Sequence, residues 1–257
     1  MIWLIGGTSD SVSIAHLLIK HQLNFIITVT TNTATQLYQS ISSQCQIFVG
    51  KLSPSEIPQF LTKHHISLVI DASHPFAVNI SHTVIKHCQE LSLPYLRYER
   101  PNITQSTSLS SISSLESLLK ENSPLHHKRV LLTIGAKFLH LFRNYHPKAT
   151  LYARILPYPE SINLAYEANF SCDRIIALRP PISPELEKAL WQMWNIDIVV
   201  TKAGGKPGGE DIKQKISQEL NIPLIVIERP KIDYPLVINN IEEVNTFLAS
   251  LLDLSKN

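Results

Sequence analysis

Apolar residues in this chain gather in short runs of about four to six, separated by stretches in which they recur at helical spacing. Runs at 2–5, 25–29, 46–49, 68–70 and 94–97 read as strands. Between them Val12, Ala15, Leu18 and Ile19 space out one helix face, and Ile80, Val84, Ile85 and Cys88 another. Such alternation predicts parallel strands joined by crossover helices. The rhythm breaks over 101–123, where eight serines replace most large side chains; a linker around one short helix at 115–120 is expected there. It resumes with runs at 130–134, 150–154, 174–177, 198–201 and 224–227. No fixed short period suggests a solenoid.

The pattern therefore predicts an α/β protein with a Rossmann-type sheet in its first part and a second α/β unit after it, both sheets mainly parallel. Residues 1–100 form the N-terminal domain, 101–128 a Ser-rich linker, and 129–257 the C-terminal domain. Composition agrees: 257 residues with 44% hydrophobic and 17% charged side chains exclude a disordered chain. A net charge of +2 is too small for a general nucleic-acid or anionic-membrane binder, so any acidic ligand must be met by local clusters. Cys45, Cys88 and Cys172 include no C-x-x-C pair, which suggests neither a disulfide framework nor a thiolate zinc site and fits a reducing compartment. The amino-terminal apolar run has no basic flank and is far too short for a signal peptide or a membrane span, so a cytoplasmic location is expected.

Gly6-Gly7-Thr8-Ser9-Asp10 falls where the first strand meets the first helix. Glycine there lets backbone N–H groups and a helix N-terminus approach a phosphate. The same residues also suit a plain turn with Ser9 or Asp10 as N-cap. At the end of the second strand, Val29-Thr30-Thr31-Asn32-Thr33 lacks the carboxylate that NAD sites place on the ribose 2′-hydroxyl, which leans towards NADP. No arginine stands there to meet a 2′-phosphate; Lys51, after the third strand, is a substitute cation, and a solvated Thr-rich turn is the competing reading. Asp71-Ala72-Ser73-His74-Pro75-Phe76 follows an apolar strand and so falls at the ligand-binding edge of the sheet, where His74 either donates to a ligand or serves the next helix.

In the second half, strand ends run into Gly135-Ala136-Lys137, Arg154, Arg179-Pro180-Pro181 and the segment from Lys202 to Gly209, which holds four of the eight glycines. Glycines bracketed by Lys202, Lys206 and Lys213 suit an anion-binding loop, or equally a solvated surface loop. No H-E-x-x-H helix, Walker lysine loop or G-x-S-x-G elbow occurs, and the adjacent pairs His64-His65 and His126-His127 do not share a helix face, so no metal site is expected.

Taken in order, these segments resemble the precorrin-6A reductase family of cobalamin (corrin ring) biosynthesis, including its cobalt-precorrin-6A branch, over nearly the whole chain. The resemblance is carried by Gly6-Gly7-Thr8, Val49-Gly50-Lys51-Leu52, Asp71 to Ala77, Leu96 to Pro101, Gly135, Ala153 to Pro157, the Lys202 to Lys213 loop, Asn221-Ile222-Pro223 and Glu228-Arg229-Pro230. Ala203-Gly204 stands where relatives often carry Asp-Ser or Asn-Ser. The resemblance implies two Rossmann-like domains with mainly parallel sheets and an interdomain cleft, and NADPH-dependent reduction of one double bond of precorrin-6A, or of cobalt-precorrin-6A, to precorrin-6B. It implies His74 and Lys202 as the catalytic candidates, the ring proton coming from His74, Lys202 or water, and Gly6, Gly7, Thr8, Ser9, Thr30, Ser73, Lys202 and Gly205 as cofactor contacts. The many substrate carboxylates call for fixed cations. Lys137, Arg154, Arg179 and Lys213 are the expected partners, with Arg97 and Arg100 further candidates. The expected partner is this small polycarboxylate tetrapyrrole, with no nucleic acid or membrane, and the chain is expected to be a monomer or weak homo-oligomer. A short-chain dehydrogenase lacks its signature, since no tyrosine is followed by lysine four positions on. A dinucleotide-sensing or two-lobed binding protein would bind cofactor without turnover.

Overall fold

The structure, a computed structural model, describes residues 1–103 and 110–254. The chain divides into two compact units, Met1–Pro101 with the segment from Pro230 on, and Asn102–Arg229. The first half runs β1 (Ile2–Ile5), α1 (Ser9–Lys20), β2 (Phe25–Val29), α2 (Asn32–Thr35), a 3-10 turn (Gln36–Ile41), β3 (Gln46–Val49), α3 (Glu56–Lys63), β4 (Leu68–Asp71), α4 (Val78–Glu90) and β5 (Tyr95–Tyr98). The second continues with β6 (Ser110–Ile112), β7 (Arg129–Thr133), β8 (Thr150–Ile155), α5 (Pro159–Glu167), β9 (Ile175–Ala177), α6 (Pro184–Met193), β10 (Ile198–Lys202), α7 (Glu210–Leu220) and β11 (Leu224–Ile227). Then come β12 (Val237–Ile238) and α8 (Ile241–Leu254).

Each unit holds a six-stranded parallel sheet, in the order β12-β5-β4-β1-β2-β3 in the first and β6-β11-β10-β7-β8-β9 in the second. In both, the chain moves outward from a central strand over two neighbours and then crosses to the central strand's other side. The apolar runs follow from burial on both faces. Ile2 and Leu4 pack with Ile14, Ala15 and Leu18 of α1, whereas Trp3 and Ile5 face Ile57, Phe60 and Leu61 of α3 and Val84 and Ile85 of α4. In the second unit Leu131, Val199 and Val226 pack with Trp191 of α6 and Ile216 of α7. Among the described residues no helix is long and apolar enough to cross a membrane.

Two boundaries differ from the sequence expectation. Residues from 230 on do not belong with the C-terminal unit: β12 pairs with β5, and Val244 and Leu248 of α8 are buried in the first core. The apolar face of α8 completes the cover of the first sheet, which its position in the chain does not reveal. Part of the Ser-rich linker is a strand, β6, paired with β11 at the edge of the second sheet. Its serines carry no apolar signal because this edge strand is largely exposed. The short helix after it is a 3-10 turn, Leu115–Leu119, anchored by buried Leu115 and Leu118. Residues 104–109 of the expected linker and 255–257 lie outside the described residues.

Candidate active site

In the first sheet the connections from β1 and β4 leave in opposite directions, so the carboxyl ends of these adjacent strands form a topological switch point, where open α/β sheets bind ligands. Gly6, Gly7 and Thr8 follow β1, and Ala72, Ser73 and His74 follow β4. The two turns are clipped together: Ala72 N donates to Ile5 O (3.1 Å) and Thr8 Oγ1 to Ala72 O (2.7 Å). The N-cap of α1 is Thr8 rather than Ser9 or Asp10; it accepts from Ser11 N while Ser11 Oγ accepts from Thr8 N, a capping box. Ser9 lies exposed in the first turn, and Asp10 pairs with Arg100 (2.9 Å).

The two glycines do different work. Gly7 has φ +98°, and a Cβ there would meet nothing within 4 Å, so the backbone lies open. Gly6 lies against Tyr38, whose hydroxyl accepts from Gly7 N (2.8 Å) and bonds to Ser11 Oγ (2.6 Å). The Gly7 amide is thereby occupied within the protein. At the end of β2, Thr30 is exposed and Thr31 caps α2. Gly50 N donates to Val29 O (2.9 Å), which sets exposed Lys51 one strand over from these threonines.

Below the β4 turn lies a closed polar cluster. Asp71 is wholly buried; its Oδ1 accepts from Ser73 N (2.9 Å) and Arg97 Nη1 (3.0 Å), and its Oδ2 from the Ser81 hydroxyl (2.6 Å) and the Tyr95 hydroxyl (2.5 Å). Burial, then Asp71, pushes the Tyr95 phenol up, which keeps it a donor. Arg97 also reaches Ser73 Oγ (3.2 Å) and Glu99 (3.3 Å). Arg97 and Arg100, candidate substrate cations in the sequence, are thus each paired with a carboxylate inside the first unit. His74 is exposed, and its Nδ1 accepts from Phe76 N (3.2 Å), which leaves Nε2 to carry the proton of the neutral ring.

The second sheet repeats the arrangement, with its switch point between β7 and β10. Gly135, at φ +85°, follows β7, and a Cβ on it would stand 3.8 Å from Lys202 Nζ at the end of β10. That ammonium lies 4.4 Å from the Phe138 ring centroid. Burial, then the charge of Lys137, lowers the Lys202 pKa to about 8. Lys137 and Arg179 are exposed.

Three expected contacts turn inward instead. Lys213 is 1% exposed and donates to the carbonyls of Gly208 (2.7 Å) and Gly209 (3.1 Å), holding the glycine loop from beneath. Arg154 is bonded to Glu187, which also accepts from Trp191 Nε1 (3.0 Å). Gly205 N donates to Glu210 Oε2 (2.8 Å), so its amide serves the loop rather than an incoming anion. Lys213 and Gly205 are satisfied within the glycine loop and the first turn of α7, whereas the partner of Arg154 lies on α6, 33 residues on, where only the fold brings it near. Among the described residues no cluster of three His, Cys, Asp or Glu could hold a metal ion.

The family model described as Precorrin-6x reductase CbiJ/CobK matches residues 1–249. A cobalt-precorrin-6A reductase of Synechocystis sp. is 45% identical over 248 residues, covering 96% of this chain and 95% of that protein. The chain belongs to the precorrin-6A reductase family. Members of this family include a cobalt-precorrin-6A reductase of Priestia megaterium, 30% identical over 250 residues (95% of this chain, 96% of that protein), and a precorrin-6A reductase of Mycobacterium tuberculosis, 27% identical over 234 residues (89% and 88%). The solved CobK precorrin-6A reductase shares the fold, with a TM-score of 0.79 at 22% identity over 97% of this chain and 96% of that one. The family's reaction is the reduction of precorrin-6A, a tetrapyrrole intermediate of cobalamin biosynthesis, and this chain is an oxidoreductase that draws on a nicotinamide cofactor. Tyr38, Tyr95 and Tyr234, which brace the first switch point, went unnoticed in the sequence; single tyrosines among apolar residues give no signal of what their hydroxyls touch.

Proposed function

We propose that this chain reduces one conjugated double bond of cobalt-precorrin-6A with NADPH, giving the corresponding precorrin-6B. The reading is carried by the family match over residues 1–249, and the 45%-identical relative named for the cobalt-containing substrate supports the metallated form. The first switch point fits the cofactor: the space left by the missing side chain of Gly7, the α1 N-terminus at Thr8 and Ser9, and a neutral β2 end at Thr30 suit a diphosphate and a phosphorylated ribose. The bound nicotinamide supplies the hydride.

This chain's residues do the positioning, which dominates in hydride transfer. Gly6 permits the close turn, Gly7 by its missing side chain lets the diphosphate approach Ser9 at the α1 N-terminus, and Thr8 holds that turn to Ala72. Ser73 and His74 orient the nicotinamide end. In the second unit, Lys137 and Arg179 meet substrate carboxylates. Lys202, cationic below about pH 8, holds a proton at Nζ, and saturating one C=C bond takes such an H⁺ together with the hydride. Lys213 and Arg154 act as internal braces. Anaerobic mixing with NADPH and enzymatically made precorrin-6A, with and without cobalt, tests the proposal through absorbance and product mass. NADPH loss with a gain of two hydrogens, faster with cobalt, is expected; no oxidation with either macrocycle contradicts it.

A further inference from the structure

We infer that the buried Arg97 is a positioning residue that turns the Ser73 hydroxyl into a one-way hydrogen-bond donor for a neutral acceptor, the amide oxygen of the nicotinamide. The inference rests on the cofactor reading above. Arg97 is 1% exposed, and its guanidinium, which can only donate, reaches Asp71 Oδ1, Ser73 Oγ and Glu99 Oε2. Tyr234 lies beneath it, with the ring centroid 5.1 Å away. Because Ser73 Oγ accepts from Arg97, its own proton must point elsewhere, and among the described residues no acceptor takes it. Ser73 is only 7% exposed, so this is a nearly buried donor without a partner, polarised by a cation and located at the switch point.

The surrounding charges select the kind of ligand. Asp71 and Glu99 already offset the Arg97 charge, so a phosphate or carboxylate would gain little here and would be repelled by the two carboxylates. A neutral carbonyl oxygen takes the hydroxyl proton without that cost. The donor is also rigid: Ser73 N is fixed on Asp71, and Ala72 O on Thr8.

The test is calorimetric binding without tetrapyrrole, comparing NADP⁺ with 2′-phospho-ADP-ribose, which lacks the nicotinamide. Ser73→Ala is expected to weaken NADP⁺ about fivefold and leave the fragment unchanged. Thio-NADP⁺, whose sulfur accepts poorly, should lose little to the same substitution. Arg97→Lys keeps the charge opposite Asp71 without the planar fork. It should show the same nicotinamide-only loss, and Ser73→Ala in that background should add nothing. Equal losses for both ligands, no loss for NADP⁺, or additive losses in the double variant would overturn the inference; if Arg97→Lys does not fold, the Ser73→Ala comparison across the three ligands decides. Wild-type protein that binds neither NADP⁺ nor the fragment overturns the cofactor reading itself, and with it this inference.

Discussion

The Tyr38 hydroxyl occupies the space that a side chain on Gly6 would need: a Cβ there would fall within 3.0 Å of it, nearer than real Cβ contacts come. One oxygen thus fixes both halves of the turn, by excluding a side chain at Gly6 and by accepting the Gly7 amide. Tyr38→Phe should cost about 1 kcal/mol in chemical denaturation and weaken NADP⁺ several-fold. Gly6→Ala should cost about 1–3 kcal/mol by overpacking. In the Tyr38→Phe background the Gly6→Ala cost should shrink without vanishing, because Ile27 Cγ2 would still stand 2.9 Å from the new Cβ. Strict additivity would show that the two positions do not compete for space.

Lys51 should set the choice between NADP⁺ and NAD⁺. It sits one strand over from the neutral Thr30-Thr31 turn, and a cation there pairs with a 2′-phosphate but gains nothing from a bare 2′-hydroxyl. Lys51→Ala should weaken NADP⁺ about tenfold in a direct titration and leave NAD⁺ unchanged. Parallel changes for both nucleotides would remove Lys51 from the role.

The depressed pKa of Lys202 gives activity and stability opposite pH trends. Below about pH 8 the folded protein carries this lysine as a cation, ready to bind an acid or give a proton; above it the group is neutral. The kcat/KM profile should therefore fall above about pH 8, and Lys202→Met should lower it and abolish that limb. In the unfolded chain the lysine keeps its proton to its ordinary, higher pKa. Between about pH 8 and that value the unfolded state binds more protons, so this residue's contribution to stability rises with pH. An unchanged alkaline limb in the variant would assign the ionisation elsewhere.

Exposed and buried cations of the second unit should separate in kinetics. Lys137→Ala and Arg179→Ala should raise the KM for the tetrapyrrole with little effect on unfolding. Lys213→Met strips two loop carbonyls of their donor and should cost about 1–2 kcal/mol in denaturant unfolding. A pure KM effect with unchanged stability would return Lys213 to the substrate site.

Much of this is legible from residues close together in the chain. The strands of both sheets follow from runs such as Ile2–Ile5 and 198–201, and Gly6, Ser73 and Lys202 can be set at strand ends because each stands within three residues after such a run. What the sequence leaves dark are pairings across the fold. Arg97 reads as a free cation until Asp71, 26 residues away, is seen to bury with it, and Arg154 does so until Glu187, 33 residues on, closes over it. The same holds for β12 and β6, whose few residues become strands only because a buried neighbour offers an open edge.

The most direct measurement follows the transferred hydrogen. Under anaerobic single turnover with NADPH dideuterated at the nicotinamide C4, the tetrapyrrole product should gain one deuterium over the product made with unlabelled cofactor, and mass spectrometry reads this. A product reduced without deuterium, or cofactor left unoxidised while the macrocycle stays unchanged, would contradict the account.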